Sequence, residues 1–202
     1  MVNDSNPWLR RNSASARGDE VGEELPARAT STRVLGPQPG AVPPPDVSDQ
    51  LPVRPVEHTA LGWAVAAHGG AGETTLARVL GARQGQRSWP ASIEGERVVL
   101  VARTNAVGLA AARRAAQQWA AGAAGGVHLV GLVLMADAPG RLPRPLRALV
   151  ALTAGGVATT WQLPWVEALR METSDGADAA LARAASTQLD QIRNLLRNGE
   201  HG

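Results

Sequence analysis

The residues with the clearest capacity for chemistry are His68-Gly69-Gly70-Ala71-Gly72-Glu73-Thr74-Thr75-Leu76. Glycines at 69, 70 and 72 let the backbone curl so that successive N–H groups point inward. A helix beginning at the threonines would aim its positive end at the same place. That is the chemistry of an anion cradle, and of phosphate in particular. Such a loop is normally completed by a lysine that reaches the β- and γ-phosphates and by a Ser or Thr that ligates Mg²⁺. Thr74 suits the second role, but Glu73 occupies the place of the lysine. At an effective dielectric near 20, two unit charges about 4 Å apart interact by roughly 4 kcal/mol, so exchanging attraction for repulsion removes much affinity. The backbone amides remain as weak phosphate donors. A second reading gives the loop no ligand: the glycines simply tie a strand to a helix.

Further candidates lie downstream. Arg103 closes an apolar run, the end at which parallel sheets place ligands, and is the best single anion contact. Asp137 follows Leu132–Met135 in Ala136-Asp137-Ala138-Pro139-Gly140. It reads either as a magnesium ligand acting through water or, in preference, as the start of a turn or a base contact. Arg141, Arg144 and Arg147 cluster around prolines and suit a nucleotide, a nucleic-acid backbone or an acidic partner, or simply a solvated face. His58, His68, His128 and His201 are too scattered for a metal site. Trp63, Trp161 and Trp165 read as core. No catalytic triad, paired carboxylate or metal cluster is expected. With no cysteine, thiolate catalysis and disulfides are excluded.

These residues need elements to position them. Leu61–Ala67, Val98–Ala102, Val127–Met135 and Val157–Leu163 are short apolar runs and predict four buried strands. Between them fall predicted helices at Thr74–Leu80 (closed by Gly81), Ala106–Ala121 and Pro143–Leu152. Asp178–Arg197 places Leu181, Ala185, Leu189, Ile192, Leu195 and Leu196 on one face of a helix. Alternating strands and helices predict an α/β fold, a small three-layer domain with a mostly parallel sheet of about four to five strands. Strands side by side in chain order, joined by right-handed crossovers, put the connecting helices on one face. The C-terminal helix then docks on the other, or a partner does.

The chain has 202 residues and a formal net charge of +2, with arginine supplying every basic side chain besides histidine. Residues 1–55 hold six arginines against seven acids, and the remainder fourteen against eleven, so neither part is a basic tail for nucleic acid. Nine of the fourteen prolines fall in 1–55, which predicts a disordered Pro-rich N-terminal tail. The α/β domain follows over 56–172 and the amphipathic C-terminal helix over 173–202. No run of about 18 apolar residues is present, so membrane insertion is not expected and a cytoplasmic protein is.

The loop resembles the deviant phosphate loop of the ParA/MinD family, Lys-Gly-Gly-x-Gly-Lys-Thr-Thr, with both lysines replaced. Gly69, Gly70, Gly72, Thr74 and Thr75 match, and Ala71 fills the free position. His68 stands for the signature lysine and Glu73 for the phosphate-gripping one. The similarity extends through Val98–Trp119, Val130–Met135 and Trp161–Arg170, roughly residues 60 to 170, and is shared with a group of proteins from GC-rich bacteria with this shortened layout. It implies a P-loop NTPase-like fold and, as cofactor, ATP or ADP with Mg²⁺. In active members a long segment after the loop carries a switch aspartate and a hydrolysis-site aspartate. Here only Gly81 to Arg97 lies there, too short for two further βα units when one crossover takes at least about 10–12 residues. The resemblance therefore implies a non-hydrolysing scaffold or regulator that keeps weak nucleotide or phosphate binding. It would work with a protein partner or as a homo-oligomer in partitioning, secretion or DNA-transfer machinery. Two alternatives are a Mg²⁺-dependent ATPase using Thr74 and Asp137, and a nucleic-acid module using Arg141, Arg144 and Arg147.

Overall fold

Uninterrupted apolar runs, with no polar alternation, are the sequence form of strands covered on both faces, and here they build a parallel sheet. The structure is a computed structural model and describes residues 36–171 and 175–198. In chain order its elements are β1 (Val53–Pro55), β2 (Trp63–Ala66), α1 (Glu73–Leu80), β3 (Arg83–Gln84), β4 (Trp89–Ala91), β5 (Arg97–Arg103) and α2 (Ala106–Ala120). There follow β6 (His128–Met135), α3 (Arg144–Ala154), β7 (Thr160–Leu163), α4 (Ala168–Met171), α5 (Asp175–Ala184) and α6 (Ser186–Asn198). The main sheet has the order β3-β2-β5-β6-β7 and every neighbouring pair is parallel. β1 and β4 form a separate parallel ribbon. None of the helices among the described residues is long and apolar enough to cross a membrane.

The two-residue period of a strand divides its side chains between two cores. Trp63, Val65, Leu100 and Leu132 face one core with Leu109 and Trp119 of α2 and Val150 of α3. Ala64, Val99, Val101 and Val133 face the other, with Leu76 and Leu80 of α1, Leu181 of α5, and Leu189, Ile192 and Leu196 of α6. The C-terminal stripe thus docks on the sheet. It is two helices rather than one, divided at Ala185. The stripe still runs through, because the Ala185 N–H bonds Leu181 O and the Leu189 N–H bonds Ala185 O.

One expectation is corrected by the sheet order. The connecting helices do not all lie on one face, because α1 sits with α5 and α6. The reason is β3, which pairs on the outer edge of β2. The chain steps one way from β2 to β3 and the other way from β5 to β6 and β7, and right-handed crossovers in opposite directions place their helices on opposite faces. The reversal falls between β2 and β5, where open α/β sheets form a crevice at their carboxyl ends.

The tail expected over 1–55 is also corrected in part. Residues 1–35 lie outside the described residues, but 36–55 are built into the domain. Leu51 is buried in the first core and β1 pairs with β4. The holding group is polar. Gln118 on α2 is 1% exposed; its Oε1 accepts the Leu51 N–H (2.9 Å) and the Trp89 indole N–H (3.0 Å). Its Nε2 donates to Leu51 O (2.9 Å) and Ala123 O (3.0 Å). All hydrogen-bonding capacity of a buried amide is used, so the segment needs little apolar surface of its own.

Candidate functional site

The loop leaves β2 at its carboxyl end and enters α1 through Gly72, which has a left-handed backbone at φ +98°. A Cβ there would come within 2.2 Å of Met135 Sδ, so only glycine fits between the loop and the end of β6. Gly70 is also left-handed, at φ +75°. The N–H groups of Gly69, Gly70, Gly72, Glu73, Thr74 and Thr75 have no partner among the described residues. They surround a cavity of about 290 Å³ lined by residues 68–75, Ala66 and Arg87. That is near the lower end of ligand-pocket volumes.

Glu73 does not stand free in this cavity. Its Oε1 accepts the Gln86 backbone N–H at 2.5 Å. Gln86 and Arg87 both have left-handed backbones, at φ +52° and +57°, a conformation that costs a non-glycine residue about 1–2 kcal/mol. The carboxylate thus secures a strained turn that brings Arg87 to the cavity wall. Sequence reasoning missed Arg87, although an acid at the lysine position is itself a signal to search for a compensating cation.

His68, Thr74 and Arg103 are each tied to framework. His68 Nε2 accepts the Arg103 N–H (3.0 Å), which makes the ring neutral with its proton on Nδ1, donated to Gly69 O (2.8 Å). Gly108 gives it room: a Cβ there would approach Nε2 to 2.8 Å and Arg103 O to 2.5 Å. The Thr74 hydroxyl donates to Gln84 Oε1 (3.0 Å) on β3. Arg103 donates from Nε to Gly70 O (3.3 Å) and from Nη1 to Ala136 O (3.0 Å), bracing the loop against the end of β6.

Ala136 also lines a second cavity, of about 720 Å³, at the carboxyl ends of β6 and β7, with Thr104, Ala138–Gly140, Gln162 and Trp165. Trp165, expected in the core, is half-buried there because it follows Pro164 beyond the strand. Its indole bonds Glu167 and the Arg170 guanidinium lies 5.6 Å from its ring centre. Asp137 is exposed and lines neither cavity; its backbone N–H bonds the Thr104 hydroxyl (3.0 Å). The structure therefore brings His68, Glu73 and Arg103 together at the loop but leaves Thr74 and Asp137 on different partners. Arg141, Arg144 and Arg147 are exposed around the start of α3 and line neither cavity, although Gly140 and Leu142 on either side of Arg141 line the second.

The cradle suits an anion: donors and one cation surround it. It is less suited to a metal, since among the described residues no three His, Asp or Glu side chains converge. At the opposite end of the sheet Glu96 is fully buried. Its Oε2 accepts the Trp63 indole N–H (2.8 Å) and its Oε1 contacts His58 Nδ1 (3.0 Å). Burial works to raise its pKa, but the donors around it (Ser92, Trp63 and His58) and the charge of His58 outweigh that and lower it.

Fold and site define a parallel α/β domain with a glycine-rich loop at its strand-order reversal. The chain belongs to the DUF6668 family, described as a family of unknown function, whose model matches residues 60–189. That span runs from β2 and the loop to the docked C-terminal stripe. No curated protein matches the chain, and no solved structure does.

Proposed function

We propose that this protein is a non-hydrolysing ParA/MinD-like scaffold or regulator whose altered phosphate loop binds a phosphate group weakly. The reading rests on one observation above the rest: Glu73, at the lysine position, is hydrogen-bonded to Gln86 and accompanied by Arg87 at the cavity wall. The formal charges of Glu73 and Arg87 cancel, and His68 is neutral. Attraction for an anion then comes from free N–H groups, the amino end of α1 and an Arg87 whose charge Glu73 offsets, which is far less than two lysines provide. Phosphates would be held by the amides of Gly69, Gly70, Gly72, Glu73, Thr74 and Thr75 and by Arg87. A bound nucleotide would bring Mg²⁺ and the phosphoanhydride chemistry of the family. Among the described residues that line the cradle, the only carboxylate is Glu73, already occupied by Gln86, so no base is poised to activate a water.

Calorimetric titration of ATP and ADP, with and without Mg²⁺, into the wild type and Glu73→Lys tests this. Weak wild-type binding, strengthened by lysine and without phosphate release, is the expected result. Tight wild-type binding with turnover would refute the non-hydrolysing part. Silence from both proteins would refute the cradle.

A further inference from the structure

We propose that the solvent face of α3 is a docking surface for an acidic amphipathic helix of a partner protein. α3 is apolar on two faces: Leu146 and Val150 pack on the first core, and a second apolar row faces outward. Only Val150 and Thr153 are buried, while Leu149 is 37% and Leu152 59% exposed. Pro145, Ala148, Leu149 and Leu152 recur at the i, i+3, i+4, i+7 spacing of one helix face, and all four are exposed. At about 100° per residue, Arg144 and Arg147 fall beside this stripe, so the exposed arc has an apolar half and an arginine half. Arg141 adds a third cation just before the helix. None of the three pairs with a carboxylate among the described residues; the Arg147 guanidinium bonds only Leu142 O (2.8 Å).

Charge complementarity selects the occupant. A second copy of this chain placed symmetrically on the stripe would set arginines against arginines. A nucleic acid would satisfy the arginines but leave the leucines against a hydrated phosphate backbone. A helix with leucines on one face and carboxylates beside them satisfies both halves, in the helix-in-groove manner. None of these residues lines the loop cavity, and the partner need not carry a nucleotide.

The probe is a labelled peptide of about 18 residues, five helical turns, with Leu and Ala on one face and Glu elsewhere. It is titrated into the full-length protein by fluorescence anisotropy. Saturable binding is expected, weakened roughly tenfold by Leu149→Ala with Leu152→Ala and by a similar factor by Arg144→Gln with Arg147→Gln. Alanine keeps helix propensity, so these variants should melt with the parent. The proposal is overturned if the peptide does not bind, if a scrambled peptide of the same composition binds equally, or if either double variant binds like the wild type. It is equally overturned if single-stranded DNA binds this face and the peptide does not displace it.

Discussion

Replacing Gln118 by methionine keeps the length and volume of the side chain and removes its four hydrogen bonds. Leu51 N–H, Leu51 O, the Trp89 indole N–H and Ala123 O then lose their partner. Leu51 is 6% exposed and Trp89 fully buried, so water does not reach three of these groups while the segment stays docked. At about 1–3 kcal/mol for each of the three buried groups left unpaired, the loss is roughly 3–9 kcal/mol, a large share of a domain's usual 5–15 kcal/mol. The protein can limit that loss by releasing residues 36–55 and rehydrating them. Equilibrium urea denaturation measures the global loss, and amide exchange at Leu51 and at β1 reports local release. The expected outcome is either a large fall in midpoint or a collapse of protection confined to 47–56. A change below about 1 kcal/mol with protection at Leu51 intact would refute the view that a polar side chain holds this segment.

Glu96 has a lowered folded-state pKa, so its contribution to stability is present above the ordinary carboxylate range and is lost as pH falls through the folded value. Glu96→Gln should therefore cost stability at neutral pH and flatten the acid limb of the melting curve, as read by calorimetry across pH 3–7. Gly72→Ala should destabilise the loop by about 2 kcal/mol or more, since φ of +98° costs an alanine 1–2 kcal/mol before its Cβ meets Met135. Met135→Ala in the same chain should recover the steric share but not the backbone share, a coupling that a double-mutant cycle measures. Deleting residues 175–202 strips Leu181, Leu189, Ile192 and Leu196 from the second core. Insolubility or loss of a cooperative melt is expected, and a parent-like melt would refute the docking role.

Strands β2, β5 and β6 were legible because each is an apolar run buried on both faces over most of its length, and the edge strand β7 because Trp161 and Leu163 are buried although Gln162 between them is exposed. β3 and β4 were not. Arg83–Gln84 is two polar residues and Trp89–Ala91 contains a proline, so neither carries periodicity. Missing β3 hid the reversal of strand order, and with it the face on which α1 lies. The anchored part of the N-terminal segment was hidden for a different reason. Its hold comes from a buried leucine, a glutamine 67 residues away and the pairing of β1 with β4, not from composition. At the loop, residue types and spacing located the cradle, yet the turn of Glu73 toward Gln86 and the arrival of Arg87 depend on two left-handed residues that no local pattern announces.

The most direct measurement of the proposed cradle is a pyrophosphate titration followed by the backbone amide resonances of the isotopically labelled protein. The proposal predicts saturable shifts concentrated at Gly69–Thr75, weakened by Arg87→Ala and strengthened by Glu73→Lys. Shifts that avoid the loop, or a loop that stays silent at saturating ligand in Glu73→Lys as well, would contradict it.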